Sequence, residues 1–266
     1  MEFPGARAPR DRADYAVLGA PLDVSTSFQP GARFGPRRIR QFAAPFDDYD
    51  PHTGYQFTEC GVHDAGDVRA WDEAKGYLEF LEGQVTDLRR EGVVPLVLGG
   101  EHTVTAAAVR ACDPDVYVCL DAHLDLREEY AGNPLSHATV TRHVLAAADR
   151  AVILGARAGS EDEYERAERP DVTVVPPEEV PDWEPDMEGE AYLSIDIDAA
   201  DPGFAPGTGT MEPFGLTPRE MRRVVRAVAP ACVGCDVVEV NDRDDGQAAA
   251  LGAKLLRAFV YEHAAD

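Results

Sequence analysis

An α/β fold, with a central, mainly parallel sheet covered by helices on both faces, is what this sequence predicts. Three observations lead there. Seven short runs are almost continuously apolar and rich in β-branched residues, the pattern of strands buried on both faces. Longer amphipathic stretches alternate with these runs, as crossover helices between parallel strands would. No Ser/Gly-rich linker or shift in composition divides the chain, so residues 1–266 are read as a single domain.

The expected strands are Tyr15–Leu18, Val93–Leu98, Val116–Leu120, Ala151–Leu154, Val172–Val175, Ala191–Ile195 and Val233–Val240. A helix is expected over 72–91, where Leu78, Leu81, Val85 and Leu88 fall on one face and Gly92 ends the pattern. A second candidate covers 136–149. A third begins at Thr217, which can cap it, with Pro218 at the first position and Glu220 at the third, and runs to about Ala229. Segment 245–263 reads as a C-terminal helix. Segments 21–67 and 199–216 are rich in Pro, Gly and Asp and lack periodicity. Loops of that length in a compact domain are more often functional than not.

Hydrophobic residues make up 44% of the chain, enough for a sizeable core and incompatible with wholesale disorder. No apolar stretch approaches the ~20 residues needed to span a bilayer. The first fourteen residues carry Arg7, Arg10 and Arg12 but no apolar core of a secretory signal, so a cytoplasmic location is expected. Asp and Glu number 49 against 25 Lys and Arg, a net charge of −24. Such a surface is repelled by nucleic acid and by anionic membranes, and neither is an expected partner. The acidic residues are dispersed, and Lys75 and Lys254 are the only lysines. This is read as a surface suited to concentrated salt, where the screening length falls to ~3 Å at 1 M. The five cysteines are an odd number and suggest no disulfide framework. Cys232 and Cys235 have C-x-x-C spacing, but no second pair completes a zinc site and they sit at the start of a strand, so they are read as structural.

In a parallel α/β sheet, ligands bind beyond the carboxyl ends of the strands. Four apolar runs here lead into candidate ligands. Val93–Leu98 is followed by Gly99-Gly100-Glu101-His102, and Val116–Leu120 by Asp121-Ala122-His123-Leu124-Asp125. Ala191–Ile195 is followed by Asp196-Ile197-Asp198 and then Asp201-Pro202, and Val233–Val240 carries Glu239 near its end. Alternate residues of extended backbone face the same way. His102, Asp121, His123, Asp125, Asp196 and Asp198 can therefore converge. So many carboxylates in one cleft require cations. Several of these side chains can bridge, which suits two divalent ions ~3.5–4 Å apart. Oxygen and imidazole donors without thiolate favour Mn²⁺ over zinc. His63-Asp64-Ala65-Gly66-Asp67 resembles a metal motif but is read as structural, and His52, His143 and His263 as surface or packing residues. An early Asp-x-His also occurs in metallophosphoesterases, but their Gly-Asn-His-Glu segment and later histidines are missing from this sequence.

With these motifs assembled, the chain resembles the ureohydrolases, the arginase/agmatinase family of manganese amidinohydrolases, and most of all the archaeal agmatinases. Gly19-Ala20-Pro21-Leu22-Asp23 and Pro30 through Arg40 resemble the family's N-terminal signature, and the three ligand segments its metal motifs. Ala205 through Thr210 and Glu239-Val240-Asn241 complete the set. The resemblance implies the three-layer arginase-like fold and two Mn²⁺ per subunit. One ion would take His102, Asp121, Asp125 and Asp196, the other Asp121, His123, Asp196 and Asp198, with Asp121 and Asp196 bridging. The ions would share a water and lower its pKa. Asp125 would orient that water, Glu239 would grip the guanidinium, and His137 would pass a proton to the leaving amine. Urea and an amine would be released by a homo-oligomer, a trimer or hexamer.

Glu128 and Glu129, after the second metal motif, are expected to suit a cationic substrate tail, which favours agmatine. 4-Guanidinobutyrate and arginine are the alternatives, and a non-catalytic metal-binding homologue is a third reading that has no use for His137. Met211-Glu212-Pro213-Phe214-Gly215 departs from the family's commoner Pro-Glu-Pro-Gly-Gly and is expected to put bulk at the pocket rim. The charge excess makes a prediction that needs no structure. Self-repulsion should loosen the fold on dilution of salt, so the melting temperature should rise between dilute buffer and molar KCl. An unchanged melting temperature would contradict the reading of the surface.

Overall fold

The computed structural model describes residues 1–69 and 73–265. Eight strands form one sheet: β1 Tyr15–Ala20, β2 Val62–Asp67, β3 Val94–Gly99, β4 Val116–Leu120, β5 Arg150–Leu154, β6 Val172–Val175, β7 Ala191–Asp196 and β8 Cys232–Val238. Their order across the sheet is β2-β1-β3-β8-β7-β4-β5-β6, and every pairing is parallel. The helices are α1 Gly35–Ala43, α2 Ala74–Arg90, α3 Val104–Cys112, α4 Val140–Val144, α5 Glu161–Ala167, α6 Pro218–Val228 and α7 Gln247–Ala265.

Alternation along each strand divides the core in two. Leu96, Leu98, Val118, Leu193 and Val237 pack with Ile39 of α1, Val224 of α6 and Phe259 of α7. Leu18, Val97, Tyr117 and Tyr192 pack on the other face with Leu78, Leu81 and Val85 of α2 and Val104 of α3. This is the α/β/α layering that strands buried on both faces demand.

All seven expected strands are present, with ends shifted by a residue or two. The helices expected over 72–91, at Thr217 and at 245–263 correspond to α2, α6 and α7; Asp72 lies outside the described residues. Thr217 and Glu220 form the anticipated capping box. The candidate over 136–149 is shorter than expected, a single 3-10 turn at His137–Thr139 leading into α4. Helices α1, α3 and α5 and strand β2 were not anticipated. Strand β2 is Val-His-Asp-Ala-Gly-Asp, an edge strand paired only to β1 and mostly not buried, so it needs no apolar run. It contains the His63–Asp67 motif. Its Asp64 takes two hydrogen bonds from the buried Arg40 guanidinium, at 2.8 and 2.9 Å, which ties α1 to the sheet edge and leaves no role in ligand binding.

The central four strands, in order β3-β8-β7-β4, are the ones whose carboxyl ends carry the candidate ligands. The connection after β3 also receives the N-terminal loop. The Glu101 N–H donates to the carbonyl of Leu22 at 2.8 Å, and a Cβ on Gly100 would stand 1.9 Å from that same oxygen. Only glycine lets the two segments approach so closely.

Candidate metal centre

His102 follows the Gly99-Gly100 turn at the end of β3, and its ring enters a ring of carboxylates. Nδ1 lies 3.0 Å from Asp125 Oδ2, 3.2 Å from Asp121 Oδ2 and 3.4 Å from Asp196 Oδ2. His123 Nδ1 lies 3.0 Å from Asp198 Oδ2 and 3.6 Å from Asp121 Oδ1. The six expected ligands therefore form two overlapping groups, with Asp121 common to both. The local backbone serves this arrangement. Asp121 Oδ1 accepts from the His123 N–H, and Asp196 Oδ1 from the Asp198 N–H, which orients each carboxylate with its Oδ2 toward His102. Asp125 and Glu239 are two of the five described non-glycine residues with positive φ. Such conformations persist where the surroundings over-determine them, and they cluster at functional sites.

The electrostatics ask for cations. Asp121, Asp125, Asp196, Asp198 and Glu239 are all buried. Burial, then the charges of Asp198 and Asp121, push the Asp196 carboxyl well above its usual range. Burial raises Glu239 to about 8, even though the His102 N–H bonds its carboxylate at 2.8 Å. Burial works against the charged form of both histidines, but the oxygens around them prevail. Tyr117, Asp121 and Asp125 raise His102, and Asp198 and Asp121 raise His123. Each of these shifts favours added positive charge in the cluster. Divalent ions at the same points would satisfy every one of these groups, so the residues fit a metal pair.

Cys119 also lies nearby, 3.9 Å from His102 Nε2 and 3.7 Å from Asp121 Oδ2. It sits between His102 Nε2 and the Asp121 carboxylate. Burial pushes its thiol up to about 12, and its sulfur, His102 and Asp121 are close enough together to hold an ion. The same side of His102 meets Tyr117 OH and Ser194 Oγ, each 3.2 Å from Nε2, and Ser194 donates to the buried Asp236 at 2.6 Å. These partners hold Nδ1 toward the carboxylates.

A cavity of about 250 Å³ opens over the cluster and reaches His102, His123, Asp125, Asp196, Asp198 and Glu239. His137 and Tyr130 stand in its wall, with ring centroids 5.9 Å apart. Arg127 joins them, its guanidinium 5.4 Å from the Tyr130 ring and 3.1 Å from the buried Glu163. Glu128 and Glu129 are not in this cavity. They line an adjoining groove, where Glu128 pairs with Arg142 at 2.6 Å, so the expected role for them in gripping a substrate tail is corrected. Beyond Asp125, Arg127 and Tyr130 reach the cavity, whereas Glu128 and Glu129 between them do not. Nor do Met211 and Phe214 line the cavity. Both are exposed, while Glu212 between them reaches within 3.8 Å of His123 Nε2.

Arg157 escaped the reading of the sequence. It donates to the carbonyls of Asp198, Ala199, Glu212 and Pro213, so it pins the ligand-bearing turn after β7 to the segment carrying Glu212. No motif signals it. His52 is exposed, His143 bonds the Pro134 carbonyl, and His263 packs on Tyr15 and Phe259, all away from the centre. All five cysteines are free and buried, and Cys232 opens β8.

The sequence model of the arginase family matches residues 13–261. The chain belongs to the arginase family. Among curated proteins it is 36% identical over 244 residues to an agmatinase of Bacillus anthracis, covering 86% of this chain and 84% of that one. It is 34% identical over 287 residues to a guanidinobutyrase of Pseudomonas aeruginosa, covering 96% and 89%. Among solved structures, the agmatine ureohydrolase of Thermoplasma volcanium superposes with a TM-score of 0.91 at 31% identity, over 98% of this arginase-family chain and 94% of that one.

Metal ligands must offer lone pairs, so loading this centre must expel the protons that now neutralise it. Titrating chelator-treated protein with Mn²⁺ at pH 7, in buffers of different ionisation enthalpy, should show heats that differ as proton release requires. Equal heats would contradict the charge state argued for His102, His123 and Asp196.

Proposed function

We propose that this chain is a dinuclear manganese ureohydrolase that hydrolyses agmatine to putrescine and urea. The observation that carries the proposal is the meeting of two imidazoles and four aspartates, all but Asp121 lining one cavity that also holds Glu239 and His137. His102, Asp121, Asp125 and Asp196 would hold one Mn²⁺, and Asp121, His123, Asp196 and Asp198 the other. When bound, the ions supply Lewis acidity and lower the pKa of an attacking water.

The protein supplies the rest. Glu239 Oε1 is held by the His102 N–H, which leaves Oε2 for the N–H groups of a planar guanidinium. The fork fixes the central carbon above the floor of the cavity. Asp125 accepts a hydrogen bond from the attacking water and aims it at that carbon. His137, on the wall, gives a proton to the departing amine as the C–N bond breaks. Burial of the floor strengthens each of these contacts.

Similarity to an agmatinase and to an agmatine ureohydrolase supports agmatine as the substrate. Glu212 on the wall adds negative charge suited to a cationic tail, and the Arg127 charge is engaged by Glu163. Arg127 also favours a second reading, since a cation beside the cavity suits a carboxylate-ended substrate such as 4-guanidinobutyrate or arginine. Membership of the arginase family supports a cytoplasmic homo-oligomer, a trimer or hexamer, in polyamine metabolism, and the acidic, lysine-poor surface supports work at high salt. No helix among the described residues is long and apolar enough to cross a membrane. The whole chain is assigned to one ureohydrolase domain.

Urea release from a panel of guanidino compounds, with Mn²⁺ added, tests the proposal. Agmatine should exceed 4-guanidinobutyrate and arginine in kcat/KM, and a preference for either acid would transfer the assignment to the second reading. In the same assay, His137→Asn should keep its metal and lower kcat by ~10²–10⁴-fold, the usual contribution of a general acid–base group. Loss of metal would make His137 a ligand, and an unchanged kcat would mean that solvent supplies the proton.

A further inference from the structure

We infer that Ser25 and Glu101 are positioning residues for His137, fixing its imidazole so that Nε2 is the atom that hands over the proton. The inference rests on the reading of His137 as the general acid. It begins with Glu101, which is fully buried beside the metal-binding His102 yet makes its hydrogen bonds to the N-terminal loop. Its Oε2 accepts the backbone N–H groups of Val24 and Ser25, at 2.6 and 2.7 Å. Its Oε1 accepts the hydroxyls of Ser25 and Thr103, each at 2.8 Å. Four donors converge on one carboxylate.

The single hydroxyl hydrogen of Ser25 is one of the four donated to Glu101, so it is committed there. Ser25 Oγ is left with lone pairs only, and they face His137. The His137 backbone N–H donates to it at 3.0 Å, and the ring Nδ1 lies 3.3 Å away. Two lone pairs cannot face each other there, so Nδ1 carries a hydrogen. Ser136 Oγ, also 3.3 Å from Nδ1, can accept from the same N–H or donate to a bare Nδ1, whereas Ser25 Oγ can only accept. The Ser25 contact selects the Nδ1–H form of the neutral ring, with its free lone pair on Nε2. Nε2 stands 3.2 Å from Ser27 Oγ, and Ser27 lines the cavity together with His137.

The proton balance follows. The charged ring holds hydrogens on both nitrogens. The Nε2–H bond breaks as the proton passes to the amine nitrogen, which leaves with the electron pair of the C–N bond. The ring remains neutral with Nδ1–H held by Ser25, and solvent restores the Nε2 proton. The irregular N-terminal loop thereby acquires a purpose. Asp23 folds it by accepting from Thr26 Oγ1 at 2.5 Å and from the Gly31 N–H at 2.8 Å, and Glu101 anchors it, so that Ser25 and Ser27 reach opposite nitrogens of one imidazole.

The test uses the full-length, Mn²⁺-loaded protein and four variants: Ser25→Ala, Ser25→Thr, His137→Asn and the double variant Ser25→Ala/His137→Asn. Ser25→Ala should lower kcat by roughly 10–10²-fold, as loss of an orienting contact does, with KM and metal content unchanged. Ser25→Thr keeps the hydroxyl and should recover most of kcat. Because Ser25 acts only through His137, the double variant should be no slower than His137→Asn alone. A wild-type kcat in Ser25→Ala, no recovery in Ser25→Thr, or additive losses in the double variant would each overturn the inference while leaving His137 as the acid. A wild-type kcat in His137→Asn would instead remove the reading on which it stands, and the inference with it. Should Ser25→Ala fail to fold, Glu101→Gln replaces it, with the same expected loss of kcat at unchanged metal content.

Discussion

The constraint on which the rest of the structure depends is the mutual repulsion of Asp121, Asp125, Asp196, Asp198 and Glu239 in a buried site. Five carboxyl groups out of water in one small volume cannot all ionise without compensation. The upward displacement of Asp196 and Glu239 and the protonated state of both histidines are the response of the protein alone. Everything around the cluster holds these groups in place against that repulsion. Their strands are the adjacent central four of the sheet, buried on both faces. Backbone N–H groups orient one oxygen of Asp121, Asp196 and Glu239 each. Arg157 clamps the turn after β7 through carbonyl oxygens, so its charge lies close by without occupying a ligand position.

The charge economy of the whole chain fits the same picture. A surface dominated by carboxylates leaves few cations, and almost all of them are arginine. Several are buried or half-buried and used as hydrogen-bond forks. Arg40 joins α1 to β2, Arg157 joins two loops at the centre, and Arg257 reaches the carbonyls of Asp47 and Asp48. A planar guanidinium with five N–H groups suits these tasks, and an ammonium group does not. Lys75, by contrast, extends into solvent, with its side chain 72% exposed. The cations buried in this chain, Arg40 and Arg257, do structural work that lysine cannot do.

The fold class and the six ligand candidates were legible because each ligand segment follows an apolar run, and apolar runs are the most direct signature of buried parallel strands. What stayed hidden has a physical reason in each case. Strand β2 is a polar edge strand. Helix α3 is buried almost throughout, so it shows no amphipathic period, and α1 and α5 are short. Proximity in sequence puts Glu128 and Glu129 near the substrate, but the backbone beyond Asp125, itself at φ 53°, carries them to another groove. Arg157, Ser25 and Glu101 act through single long-range hydrogen bonds, which leave no periodicity and no spacing to read. Side chains that coordinate are written in motifs, whereas side chains that hold those ones in place become visible only in three dimensions.

The central claim is that two divalent ions resolve the repulsion of the acidic cluster through shared carboxylates. Metal analysis of the purified protein, combined with electron paramagnetic resonance of the Mn²⁺-loaded form, addresses it most directly. Ions ~3.5–4 Å apart and joined by common ligands are magnetically coupled. The account predicts two manganese ions per chain and the spectrum of a spin-coupled pair. A single ion per chain, or two with the spectra of isolated Mn²⁺, would contradict it.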